Sequence, residues 1–118
     1  MNAHKQLLNE AYLNFNQRTI DGALALMHPD VDWPNGMEGG FVHGHQEIRD
    51  YWTRQWGLID PHVEPLSFTV DSDGRVRTEV HQFIKDLNGA TLIDETVYHI
   101  YQIENGLIRR MDIERIEL

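Results

Sequence analysis

The sequence predicts a single α+β domain, with helices gathered in its first half and a mainly antiparallel sheet in its second. Apolar residues recur at three- and four-residue spacing through the first half and then switch to alternation. Short turn signals, Asn88-Gly89 and Asn105-Gly106, join the alternating segments as hairpins. At 118 residues the chain suits one hydrophobic core. Helices collected at one end cover one sheet face, and a curved sheet covered this way leaves a cavity at its open end.

The elements follow in order. Residues 3–17 carry Leu7, Leu8, Ala11, Tyr12 and Phe15 on one helical stripe. Thr19 is placed to cap a second helix, "IDGALALM", with Leu24 and Met27 inward and "HP" stopping it; His28 then sits favourably at its C-terminus. "VDW" is a short strand closed by "PNG", and the glycine-rich segment after it is read as a mobile loop. "HQEIRDYWTRQW" places Ile48, Tyr51, Trp52, Gln55 and Trp56 on one face of a third helix, with Gly44 before its first turn. After a connection through "IDPHVEP" come the strands "LSFTV", "RVRTEVHQFIK", "TLIDETVYHIYQI" and "LIRRMDIERIEL".

Composition excludes several classes of function. Nineteen acidic against 10 basic side chains give a net charge of −9, and no basic patch extends beyond Ile108-Arg109-Arg110, so nucleic acid and anionic membranes are poor partners. No apolar run approaches the roughly 18 residues of a membrane helix, and the N-terminus lacks the apolar middle of a signal peptide, so a cytoplasmic location is expected. With no cysteine, disulfides and thiolate chemistry are absent. No motif calls for a cofactor.

His43, His45 and Glu47 in "FVHGHQEI" have the look of metal ligands. A helix turns about 100° per residue, which sends side chains two positions apart to nearly opposite sides. The expected role is therefore a helix entrance, with Glu47 complementing the positive helix end, and no metal site.

"FNQRTIDGALALMHPDVDWPNG", "GHQEI" and "HIYQIENGLIRRMD", in that order, resemble the SnoaL-like branch of the nuclear transport factor 2-like superfamily. The resemblance spans nearly the whole chain and implies a cone-shaped roll: three N-terminal helices packed on a strongly curved sheet, commonly dimeric through the sheet's outer face. It also implies a small apolar ligand in the cavity. The carboxylates and tyrosine used by ketosteroid isomerase-like members are missing at their positions: Trp33 precedes Pro34, Ala11 stands in the tyrosine's place with Tyr12 one step off, and His99 replaces the strand acid. The resemblance to SnoaL-like polyketide cyclases implies instead proton transfer at His99, assisted by Asp112, in an isomerase, dehydratase or cyclase acting on a carbonyl compound. An imidazole of near-neutral pKa suits that task. The alternative is a non-catalytic ligand-binding or assembly module.

His99 alternates with Val97 and Tyr101 and so shares their face. Alternation puts Met111, Ile113 and Arg115 on one side of the last strand and Asp112 on the other, so only a bulge would unite them. A two-residue Asn-Gly turn would pair Thr78 with His99 and send Glu79 and His81 to the opposite face; a longer loop would reverse this. Tyr12, Trp33, Met37, Trp52, Trp56, Tyr101, Met111 and Ile113 complete the candidate pocket, with Met37 and Phe41 placed to close over a ligand from the 35–44 segment.

Overall fold

The computed structural model describes residues 2–116 and has the predicted class. Its helices are α1 (Asn2–Asn16), α2 (Ile20–Leu24) and α3 (Gly44–Trp56), and its strands are β1 (Met27–Pro34), β2 (Phe41–His43), β3 (Ile59–Val70), β4 (Val76–Asp86), β5 (Thr91–Glu104) and β6 (Leu107–Arg115). The last strand's expected final residues, 117 and 118, lie outside the described residues. One sheet runs in the order β2-β1-β6-β5-β4-β3, antiparallel except where β1 meets β6. No helix among the described residues is long and apolar enough to cross a membrane.

The helical stripes bury as read. Leu8, Ala11 and Tyr12 of α1 and Ile48, Tyr51 and Trp52 of α3 pack against Val63, Val80, Val97 and Met111 of the sheet. The second helix is shorter than its periodicity suggests. After Leu24 the chain enters β1, where the Leu26 carbonyl accepts the Ile108 N–H at 2.9 Å and Met27 pairs with Ile108. Ladder bonds to a distant strand outweigh the few helical bonds that "ALM" would gain. His28 consequently lies in a strand rather than at a helix end, with Nδ1 accepting the Asp30 N–H at 3.0 Å.

"IDPHVEP" is also strand rather than connection. It forms the first half of β3, which occupies a sheet edge, where a proline's missing N–H breaks no ladder bond. Asn16 closes that edge: its Nδ2 donates to the Val63 carbonyl at 2.7 Å and its Oδ1 accepts the Val63 N–H at 3.0 Å. The side-chain amide imitates one residue of a neighbouring strand and blocks further pairing.

Three single-residue bulges bend the sheet, at Leu66 of β3, Leu92 of β5 and Arg109 of β6. The bulge at Leu92 decides the register. The β4–β5 turn closes through Asp86 N–H to the Ala90 carbonyl at 2.8 Å, around three residues rather than two. Left alone, that loop would shift the pairing by one. Leu92, looped out, restores it, so Thr78 faces His99 and Glu79 and His81 go to the outer face. Asn105 and Gly106, at φ 52° and 77°, make the two-residue left-handed turn that "ENG" signals.

Candidate functional site

Between the helices and the concave sheet face lies a cavity of about 350 Å³. Its walls are mostly apolar, from Phe15 and Trp52 on the helices to Ile84, Ile93 and Met111 on the sheet. Trp33 meets Trp52 edge-on at 5.7 Å between ring centroids, and Phe15 meets Trp52 at 5.2 Å, giving a rigid aromatic wall.

Polar groups gather on one part of this wall. Residues 97, 99 and 101 of β5 point inward with the pleat, and α1 lays Tyr12 across them. The Tyr101 hydroxyl donates to the Tyr12 oxygen at 2.7 Å, and the Tyr12 hydroxyl lies within hydrogen-bond distance of His99 Nδ1, at 2.8 Å. The Tyr12 and His99 rings lie nearly parallel, 18° apart, with Tyr101 edge-on to Tyr12. All three residues are at most 5% exposed.

Burial penalises the imidazolium and pushes His99 down to about 4. The near-neutral value expected from its residue type is thus corrected: no carboxylate compensates for lost solvation, and the ring is neutral at physiological pH. Because the Tyr101 hydroxyl already donates to Tyr12, we assign the Tyr12 proton to the bond with Nδ1, which puts the ring proton on Nε2, buried and unpartnered. Burial also raises both phenols, Tyr12 further through its neighbour Tyr101, so neither ionises near pH 7.

Eight of the sequence-derived site residues, His99, Tyr12, Trp33, Met37, Trp52, Tyr101, Met111 and Ile113, line the cavity. Two do not. Trp56 packs behind the wall against Phe15 and Trp52, with the Arg18 guanidinium 5.1 Å from its ring centroid. Asp112 pairs with Ile100 on the outer face, where Arg110 binds both carboxylate oxygens at 3.0 Å. The β6 bulge falls at Arg109, before Asp112, and regular alternation after it keeps the carboxylate away from His99. Tyr12 occupies the orienting role that was expected of Asp112. Alignment on Phe15-Asn16 leaves it one step off the family's tyrosine, yet a helix residue displaced by one still reaches this wall, as Ala11 does.

Gln82 and Glu95 also line the cavity and carry no signal singled out in the sequence; Gln55 and Arg115, which periodicity places on the faces of Trp52 and Met111, join them. Arg115 Nη1 holds both Glu95 oxygens at 2.7 Å, and Gln82 donates to Glu95 at 3.3 Å. Inward alternation on β4, β5 and β6 was the available signal, once the register was known.

The 35–44 segment is built rather than slack. Asn35 N–H meets the Gly40 carbonyl at 2.9 Å, its Oδ1 accepts from Met37 and Glu38, and the Tyr51 hydroxyl accepts the Gly36 N–H at 3.1 Å. Met37 reaches the cavity, but Phe41 lies under the Arg110 guanidinium, 4.3 Å from its centroid, and does not close over the pocket. The apparent metal ligands diverge: His43 Nδ1 meets Asp32 at 2.8 Å, His45 Nε2 meets the Met27 carbonyl at 3.0 Å, and Glu47 accepts the His43 N–H at 2.8 Å. Gly44, at φ 79°, makes the sharp entry into α3 that sets these directions.

The family model for the SnoaL-like domain matches residues 8–111, and the chain belongs to that family. Among solved structures, TerC, co-crystallised with polyporic acid, is 26% identical, with a TM-score of 0.83 over 97% of this chain and 92% of that one. A nuclear transport factor 2-like protein of unknown function from Burkholderia pseudomallei K96243 is also 26% identical, at a TM-score of 0.83 over 98% and 92%. A Mycobacterium tuberculosis protein in complex with estradiol-17beta-hemisuccinate shares the fold at 16% identity, with a TM-score of 0.78 over 92% and 90%. Among curated proteins, none matches the sequence.

Proposed function

We propose that the protein binds a small, largely apolar carbonyl compound in this cavity and holds its oxygen with the Nε2–H of His99. The observation that carries this reading is the buried neutral imidazole on the cavity wall, backed at Nδ1 by Tyr12 and unpartnered at Nε2. A buried donor without a partner is costly, and a carbonyl oxygen would satisfy it. TerC, crystallised with polyporic acid, supports a ligand in the same fold.

A second reading, catalysis of isomerisation, dehydration or cyclisation, draws on the same chain of hydrogen bonds. A donor fixed in a dry site stabilises an enolate oxygen more than a carbonyl oxygen. The pKa of about 4 makes His99 a weak base, so its part in such a reaction is to hold charge on oxygen rather than to remove a proton from carbon. Glu95, the one acidic residue lining the cavity among the described residues, is engaged by Arg115 and Gln82. A homodimer through the outer sheet face belongs to the same proposal; Tyr98, beneath the Arg77 guanidinium, lies there among ion pairs such as Arg77–Glu114.

Benzophenone and diphenylmethane, which differ by the carbonyl, test the reading. Calorimetry should show the ketone binding several-fold tighter, with its carbonyl stretch moved to lower frequency, and His99→Phe should abolish both effects. Equal affinity for the two compounds in the wild type would refute it.

A further inference from the structure

The described residues leave four buried side-chain polar atoms without partners: Gln55 Oε1, Trp56 Nε1, Thr78 Oγ1 and His99 Nε2. Only Gln55 and His99 belong to the cavity wall. Gln55 sits in the last turn of α3, where its Nε2 donates to the Tyr51 hydroxyl at 3.1 Å. That hydroxyl also takes the Gly36 N–H, so the amide end of Gln55 is tethered to the turn between β1 and β2. The carbonyl end is left buried and unsatisfied.

From this pairing we infer that the cavity's ligand carries two polar groups, an acceptor for His99 and a hydroxyl that donates to Gln55 Oε1. Gln55 is then the residue that selects hydroxylated over plain carbonyl compounds. The inference rests on the carbonyl-binding reading and extends it to the ligand's other end. The two orphaned atoms are of opposite kind, Nε2–H a donor and Oε1 an acceptor, and they come from opposite layers of the domain, β5 and α3. Between them the walls are aromatic and aliphatic, Trp33, Trp52, Met111 and Tyr101 among them. A molecule with an apolar middle and a polar atom toward each layer satisfies both. A site that leaves an acceptor buried discriminates against a ligand lacking the matching hydroxyl.

The test compares benzophenone, 4-hydroxybenzophenone and 4-methoxybenzophenone by calorimetry at a pH where the phenol is neutral. For the wild type, 4-hydroxybenzophenone should bind about five- to tenfold tighter than benzophenone, as one hydrogen bond warrants, and the methoxy compound, which cannot donate, should not gain. Gln55→Met, close in size and without the amide, should bind the hydroxylated and plain ketones equally. In the wild type, the Gln55 side-chain amide resonances should shift with the hydroxylated ketone only, a measurement that does not depend on the variant folding. Benzophenone bound without preference for its hydroxylated form, or a preference that survives in Gln55→Met, overturns the role of Gln55 and leaves the carbonyl site standing. Failure of all three ketones to bind overturns both.

Discussion

Tyr12 is the middle of a three-residue chain, and replacing it with Phe tests whether the chain has the direction described. The ring would keep its packing, since Tyr12 is only 5% exposed, and lose one oxygen. That oxygen serves two buried groups, Tyr101 O–H and His99 Nδ1, at 2.7 and 2.8 Å. Each buried polar group orphaned costs about 1–3 kcal/mol, so Tyr12→Phe should cost about 2–6 kcal/mol. Tyr101→Phe removes the end of the chain: Tyr12 keeps its bond to His99 and loses only an incoming donor, for about 1 kcal/mol. In a domain of this size each kcal/mol lowers Tm by about 4 °C, giving losses of roughly 8–24 °C and about 4 °C respectively. Calorimetry and urea unfolding followed by tryptophan fluorescence measure both. The double variant should cost less than the sum, because both changes break the same bond. Equal losses, or a larger loss for Tyr101→Phe, would refute Tyr12 as the central link.

Two further predictions concern stability. His99 binds a proton near pH 6.5 when unfolded but only near about 4 when folded, so stability rises with pH between those values and is level above them. The gap is worth on the order of 3 kcal/mol, and His99→Gln should flatten the slope in that window when urea midpoints are compared from pH 4 to 7. His43 acts in the opposite sense: its bond to Asp32 raises it, so its contribution is present at low pH and lost as pH rises through its folded value. A slope unchanged in His99→Gln would show that other groups carry the acid sensitivity. Asn16→Ala should cost about 1–2 kcal/mol by removing both bonds to Val63, and should free the β3 edge to pair with other chains. Light scattering during refolding checks the second effect, and Asn16→Asp, which keeps an acceptor but no donor, should fall between.

The candidate site was legible where alternation alone places a side chain. Tyr101, His99, Met111 and Ile113 follow from two strands read with period two, and Tyr12 from a helical stripe. It was not legible where a non-local choice intervened. Gln82 sits level with Glu95 only because the extra residue at Leu92 corrects a three-residue turn, and no local pattern announces that bulge; Glu95 and Arg115 share the faces of His99 and Ile113 by alternation. Asp112 looks like a partner for His99 in sequence, but the bulge that might have turned it inward lies at Arg109 instead. Phe15-Asn16 is legible as a motif and not as a mechanism, because "IDPHVEP", with its two prolines, lacks the pattern of the sheet edge that Asn16 closes.

By itself the sequence determined the layers of this protein, three helical stripes before a run of alternating strands and the apolar face of each, because those depend on periodicity and on turn residues a few positions apart; the end of α2 and the first half of β3 escaped it. It also determined that an imidazole would share a wall with aromatic side chains. Only the tertiary structure decided what that imidazole is. Its partner is a tyrosine 87 residues away rather than a carboxylate on the neighbouring strand, and its charge is removed by burial. Both depend on how α1 closes over the sheet, a relation between distant segments that local spacing does not encode.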